Sequence, residues 1–453
     1  MTLNFLKKLF SKSKQSDISE QPINAQSFKI IITEFLDNVD ENSGEIIARL
    51  LQKKEGISVH YFNQPFDKNF LNFDSKELFD WMDKGQDIAD KAEAYVVVWG
   101  YRDGDRIRIN FQSPNQYESN RKIFISLTDS LYIPAEYINN PDNFPESVLD
   151  LIYCGILSAI NIRSEFNPYR KYLLRKTVNR LLNDDNINSL ISEYTPYIMN
   201  FLGIAYLSYA YDNKDSGDFK KIKNIFENAI KHQNKITNQT QLGCFYYHLG
   251  QLYDTAAAHI EKNSISYCRG AVEYYIQAQR YLGKYNYPYE YGSICYRLSK
   301  LYHSYWIQKS DSQALRDAVF QLREAEKIYT FALFPEFWAN IQANLGHLLS
   351  ILGGVGNSKE IFELAITSFK NKQKVTTEKS YPTSWAKTQN DIGDIYYRLG
   401  KANNDVVLLE ESLEYFHDAL YIFENERNWH EVKNTSISIA KTNQTLALIK
   451  YRE

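Results

Sequence analysis

Cysteine is scarce in this chain. There are four in 453 residues, Cys154, Cys244, Cys268 and Cys295, at spacings that make no framework. That excludes a small disulfide-stapled scaffold and reads as reduced thiols in a cytoplasmic protein. No apolar run approaches the roughly 18 residues needed to cross a bilayer. The first 15 residues also lack the uninterrupted apolar core of a signal peptide. An excess of positive charge is missing too. Lys+Arg number 52 and Asp+Glu 55, a formal net charge of −3, which gives no electrostatic reason to expect a nucleic-acid partner. What the chain has in quantity is tyrosine, 35 of them, within a hydrophobic content of 44% that is ample for a core. Asn, Ile, Lys and Phe are abundant as well, the composition of an AT-rich genome. Aromatic rings also fill gaps between packed helices or line a binding groove, and both readings of the tyrosines stand.

The stretch FPEFWANIQANLGHLLSILGG (334–354) returns 47 residues later as YPTSWAKTQNDIGDIYYRLGK (381–401). Pro335, Trp338, Ala339, Gln342, Gly346, Leu352 and Gly353 recur as Pro382, Trp385, Ala386, Gln389, Gly393, Leu399 and Gly400. A pair such as Leu345-Gly346 appears five times: Leu202-Gly203, Leu249-Gly250, Leu298-Ser299, Leu345-Gly346 and Ile392-Gly393. Each is followed by a second apolar signature, respectively Phe226 with Ala229, Ala271 with Tyr275 and Ala278, Ala318 with Leu322 and Ala325, Ala365 with Phe369, and Ser412 with Phe416 and Ala419. A small residue on one helix admits a close neighbour, and the neighbour's aromatic fills the space beside it. No such pair buries its apolar face alone, so the units stack.

This pattern resembles the tetratricopeptide repeat family. It departs from the family in its period, 47 or 49 residues between successive Leu-Gly positions against about 34. The expectation is that both helices of each unit are longer by about a turn and the loops longer too. The first helix of the fourth unit is expected to start at Pro335 and stop at Gly353-Gly354. Residues 195–428 make five helix pairs, 164–194 a bridging or capping helix, and 429–453 a C-terminal capping helix.

Residues 28–163 show no repeat. They alternate strands and helices: strands at 28–33, 56–62, 94–100, 106–112 and 121–127, helices at 43–54, 75–91 and 144–163, with Asn42 and Glu45 as a capping pair and Asp103-Gly104 as a hairpin turn. In the strand 106–112, Ile107, Ile109 and Phe111 are expected on one face and the arginines on the other. The phrase KAEAYVVVWGYRDGDRIRINFQSP within this order resembles the TolB amino-terminal-like domain, which implies a non-catalytic α/β domain used for protein contacts. The fold class is therefore an α+β N-terminal domain followed by an all-α tetratricopeptide-like helical solenoid.

Catalytic constellations are missing. GGVGNSKE (353–360) lacks the Lys and Ser/Thr of a phosphate loop and follows a helix. DNKDSGD (212–218) imitates a calcium loop, but Lys214 and Lys223 stand where oxygen ligands belong. Cys244, His248 and Cys268 read as buried thiols beside a satisfied histidine rather than as a metal site. No enzyme, metal or cofactor is expected. In residues 1–27, a tail and linker, Leu3, Phe5, Leu6, Leu9 and Phe10 segregate from Lys7, Lys8 and Lys14. Two readings stay open: a helix on an anionic membrane surface, making the protein peripheral to the membrane, or a basic tail.

The composition and the family resemblance together imply an interaction scaffold that holds a partner peptide or protein in the groove lined by the first helices. Carried onto this chain, the partner-binding positions are Tyr247, Gln251, Tyr291, Tyr296, Lys300, Asn340, His347, Lys387, Asn390 and Asp394. The set lacks the Lys and Asn run that clamps a terminal carboxylate. The alternative is a regulatory protein whose α/β domain senses a small molecule and relays it through the repeats.

Overall fold

The computed structural model describes residues 27–36, 42–65, 75–114, 129–160, 167–183, 194–210, 216–232, 239–259 and 264–451. The amphipathic stretch 1–15 and the strand expected at 121–127 lie outside the described residues. Two compact units divide the chain, one running to Ile294 and the other from Cys295.

The N-terminal unit is built on a five-stranded sheet. Its strands are β1 (Phe28–Glu34), β2 (Ile57–Pro65), β3 (Val96–Asp103), β4 (Arg106–Gln112) and β5 (Leu131–Pro134), in the order β2-β1-β3-β4-β5. β1 runs parallel to β2 and β3, and β4 pairs antiparallel with β3 and β5. The continuous apolar run of β1 fits a strand covered on both faces. Ile30 and Ile32 are fully buried, and so is Thr33. Three helices accompany the parallel strands and close the sheet, α1 (Ser43–Leu51), α2 (Ser75–Ala92) and, after the short α3 (Glu136–Asn139), α4 (Glu146–Ala159). Gly104 turns the β3–β4 hairpin with φ +65°.

One detail differs from expectation. Asn42 makes no side-chain cap on α1. The amide of Gly44 instead donates to Glu34 Oε1, 3.0 Å away. In β4 both faces are covered: Arg108 is 3% exposed and Asn110 is fully buried beside Ile107, Ile109 and Phe111. Helices of the repeat also meet the sheet. Phe111 meets Phe201 at 5.6 Å and Tyr132 meets Tyr197 at 4.6 Å between ring centroids.

Those helices are α5 (Asn167–Asn183), α6 (Thr195–Ala210), α7 (Ser216–Lys231), α8 (Gln239–His259) and α9 (Ser264–Tyr281). α10 (Pro288–Lys309) begins in the first unit and ends in the second. The second unit continues with α11 (Ser312–Glu326), α12 (Pro335–Gly356), α13 (Lys359–Gln373), α14 (Pro382–Asn403), α15 (Val406–Asn425) and α16 (Trp429–Lys450). α6/α7 through α14/α15 are the five pairs. None of the described helices is long and apolar enough to cross a membrane.

The glycines of the Leu-Gly signature sit where helices touch. A Cβ at Gly203 would meet Phe226 at 2.6 Å, at Gly250 Tyr275 at 2.5 Å, at Gly346 Phe369 at 2.7 Å and at Gly393 Phe416 at 2.9 Å. Each aromatic belongs to the second helix of the same pair. Gly346→Leu is therefore expected to cost about 1–3 kcal/mol or more through overpacking. The exposed neighbour change His347→Ala is expected to stay within about 0.5 kcal/mol. Thermal unfolding of the two variants compares them directly, and equal melting temperatures would contradict the packing.

The length of the repeat resides in its helices and in one of its two loops. α12 does not stop at Gly353-Gly354 but runs on to Gly356, Gly353 packing on Phe362. Asn357, in the left-handed region at φ 48°, ends it, and Asn404 ends α14 in the same way at φ 51°. The next residue starts the second helix. Ser358 accepts from the Ile361 amide, and Asp405 from those of Val407 and Leu408. In the third, fourth and fifth pairs the link within a pair is thus two residues, against the longer loop expected there, whereas the link between the fourth and fifth pairs, 374–381, is eight.

Candidate functional site

Steps of 47 residues place Lys300 of α10, His347 of α12, Asp394 of α14 and Lys441 of α16 at equivalent positions of successive first helices in the C-terminal unit. The charges around them act on one another from helix to helix. Burial holds His303 below the usual histidine range, and nearby His347 adds to the effect. Burial lifts the Asp391 carboxyl above the usual carboxylate range, with His347 and Lys372 pulling it down and Asp394 and Glu431 pushing it up. Asp394 is lifted by burial too, against Arg398, whose Nε lies 2.8 Å from its Oδ2, and against Lys441. Lys387 reaches Glu431 on α16 at 3.3 Å. The first helices of this unit therefore share one polar face.

The fold around it is a repeat of antiparallel helix pairs, tetratricopeptide-like in build. No family model matches the chain, and no curated protein matches it. Solved structures do match. One is a signal transduction ATPase with numerous domains (STAND) from Pyrococcus horikoshii, described as having a tetratricopeptide repeat sensor. It is similar at 15% identity and a TM-score of 0.37, over 68% of this chain and 44% of that one. This chain thus matches less than half of that protein's length, and nothing about its activity follows from a likeness at that level.

Of the positions expected to face a partner, Lys300, His347 and Lys387 are exposed, and Asn340, Asn390 and Asp394 are half-buried, all in the C-terminal unit. Tyr291 is half-buried in the N-terminal unit. Three belong to the interior. Tyr247 is 2% exposed: its ring packs on Tyr275 at 5.9 Å and its hydroxyl lies 3.2 Å from Ser293 Oγ. Gln251, 4% exposed, places Oε1 3.0 Å from His248 Nδ1. Tyr296, 5% exposed, packs on Phe337, accepts from Asn344 and lies under the Lys300 ammonium at 4.6 Å. A tyrosine's apolar body and polar tip suit a core seam as well as a groove. Removing Tyr247 or Tyr296 would therefore disturb packing before it touched a partner.

His303, Lys372, Asp391, Glu431 and Lys441 belong to this face and were not singled out from the sequence. The 47-residue step from His347 through Asp394 leads to Lys441. For Lys372 there is no such signal, because it lies on a second helix and turns toward α14. Burial holds its ammonium below the usual lysine range, with Asp391 opposing and Lys387 adding to the shift.

The N-terminal unit holds a different polar cluster. His248 of α8, fully buried, places Nε2 at 3.0 and 2.9 Å from the two oxygens of buried Asp129, just ahead of β5. Phe226 stacks on its ring at 5.9 Å. Asn110 donates to the Asp129 carbonyl, and Arg108 donates to Ser130 Oγ and to the Tyr101 hydroxyl. Both nitrogens of His248 thus face oxygen atoms of side chains within the fold.

Open α/β sheets bind ligands at the carboxyl ends of strands where the strand order reverses, here between β1 and β3. In this chain Glu34 occupies that edge, accepting from the amides of Phe35 and Gly44 and from the Tyr61 hydroxyl. Leu36 bridges to Tyr101 beyond it. The N-terminus of α1 is already met by a carboxylate of its own chain.

Proposed function

We propose that the first-helix face of residues 295–453 binds a segment of a partner protein or peptide, and that the chain is an interaction scaffold working in the cytoplasm rather than an enzyme. One observation supports this above others. Exposed His347, Lys387 and Lys441 and half-buried Asp391, Asp394 and Glu431 act on one another across successive helices, giving both signs of charge to one face. Such complementarity favours specificity and steering of a polar partner. The α/β sheet, likened by its sequence to the TolB amino-terminal-like domain, would add protein contacts. The small-molecule sensor reading has less support, since Glu34 fills the edge where a ligand would sit.

The test is to pan a dodecapeptide display library on the full chain and titrate a selected synthetic peptide against variants. Lys300→Ala, His347→Ala and Lys387→Ala combined should weaken binding by about 2 kcal/mol or more. Arg316→Ala with Lys359→Ala, exposed on second helices, should leave it within about 0.5 kcal/mol. The reverse pattern would move the binding surface to the second helices.

A further inference from the structure

Lys372 and Asp391 come from different helices, α13 and α14, and each is partly buried in the C-terminal unit. Asp391 stands about one turn on from Thr388, which the Lys372 ammonium reaches, yet no ion pair joins the two charges. The Lys372 ammonium donates to Thr388 Oγ1 at 2.7 Å and to the Ser384 carbonyl at 3.4 Å, both neutral acceptors. An ammonium has three donors, so one is left. Among the described residues Asp391 makes no hydrogen bond or ion pair, so its carboxylate has acceptor sites to spare. A partly buried cation and a partly buried anion held near one another without closing are costly unless a third group satisfies both.

Extended backbone offers such a group. The N–H and C=O of one residue in an extended chain point to the same side, as in the hydrogen-bonded pairs of an antiparallel ladder. We propose that Lys372 and Asp391 clamp one residue of an extended partner segment, Lys372 donating to its carbonyl oxygen and Asp391 accepting from its N–H. This rests on the first-helix face being the binding face, and it makes that recognition depend on backbone at one position, whatever side chain stands there. Lys300, His347 and Lys387 would then read the flanking side chains. A free amino acid offers related chemistry, its carboxylate to Lys372 and its ammonium to Asp391, and the experiment separates the two.

The probe is the dodecapeptide selected on the full chain, together with a series in which each backbone amide is N-methylated in turn. Lys372→Met and Asp391→Leu should each weaken binding by at least about tenfold, and the double variant little more than either, since both hold one residue. One N-methyl position should lose affinity in the wild type and lose nothing further in Asp391→Leu, which has no acceptor. Circular dichroism of Lys372→Met should match the wild type, so that its loss of binding is not a loss of the fold. If the peptide depends on Lys300, His347 and Lys387 but both clamp variants bind within twofold, the clamp is refuted and the face stands. Peptide binding indifferent to all five residues refutes both. Displacement of the peptide by millimolar free alanine would assign the pair to an amino-acid ligand and overturn the backbone clamp.

Discussion

His248→Leu should destabilise the N-terminal unit by about 3–5 kcal/mol, the cost of leaving a buried charge without its partner. The wild-type ring holds both carboxylate oxygens of Asp129 in a site with no solvent exposure for either side chain. Leucine keeps bulk against Phe226 but offers Asp129 no donor. The double variant His248→Leu with Asp129→Leu should recover a good part of the loss, because an apolar pair of similar volume can replace a buried hydrogen-bonded pair at little net cost. Urea unfolding followed by circular dichroism measures all three. A loss below about 1 kcal/mol for His248→Leu would show that Asp129 is satisfied by its other contacts and that the pair is dispensable.

A fragment of residues 165–453, cut just after the α/β region, should fail to hold its first two helix pairs. The cut removes Phe111 from Phe201, Tyr132 from Tyr197 and Asp129 from His248. It also removes the Leu157 carbonyl, to which buried Arg170 donates at 3.0 Å. Exposed aromatic faces and unsatisfied buried polar groups would follow, each costing about 1–3 kcal/mol. Limited proteolysis should digest 165–294 early and spare most of 312–453, and the fragment should bind a hydrophobic dye that the full chain does not. A fragment that resists protease throughout and leaves the dye unbound would show that the first pairs stand without the sheet.

The repeat was legible because its cause is local and recurs: a glycine against an aromatic 23 or 25 residues on, four times over, with Ser299 and Leu322 in their places in the third unit. The turn inside each pair was less so. Gly353 and Gly400 look like helix stops, but the side chains of Phe362 and Leu409 require their bareness within the helix, and the asparagines that end the helices are inconspicuous in a chain rich in Asn. The covering of β4 was hidden for another reason. Arg108 and Asn110 alternate with apolar residues as on a wetted strand, and the groups that satisfy them, Tyr101, Asp129 and Ser130, come from other parts of the chain. His248 and Asp129 lie 119 positions apart, beyond any pattern of spacing. On the candidate face, Lys300, His347 and Lys387 followed from the register of the first helices. Lys372 did not, since a lysine on a second helix has the composition of any solvated flank until its acceptors on α14 are seen.

The two-residue corners at Asn357-Ser358 and Asn404-Asp405 have a consequence for how such a chain can grow. Each corner locks two helices into a hairpin with no slack, whereas the eight-residue link 374–381 joins one hairpin to the next. Residues 335–381 therefore form a cassette of 47 residues whose two ends meet the same surroundings, Phe334 before Pro335 and Tyr381 before Pro382. A duplication or deletion with its endpoints in that link adds or removes a whole hairpin in register, while an indel at a corner shears it. Recombination in this gene would be tolerated at one kind of joint and purged at the other, so the repeat can lengthen only in whole steps.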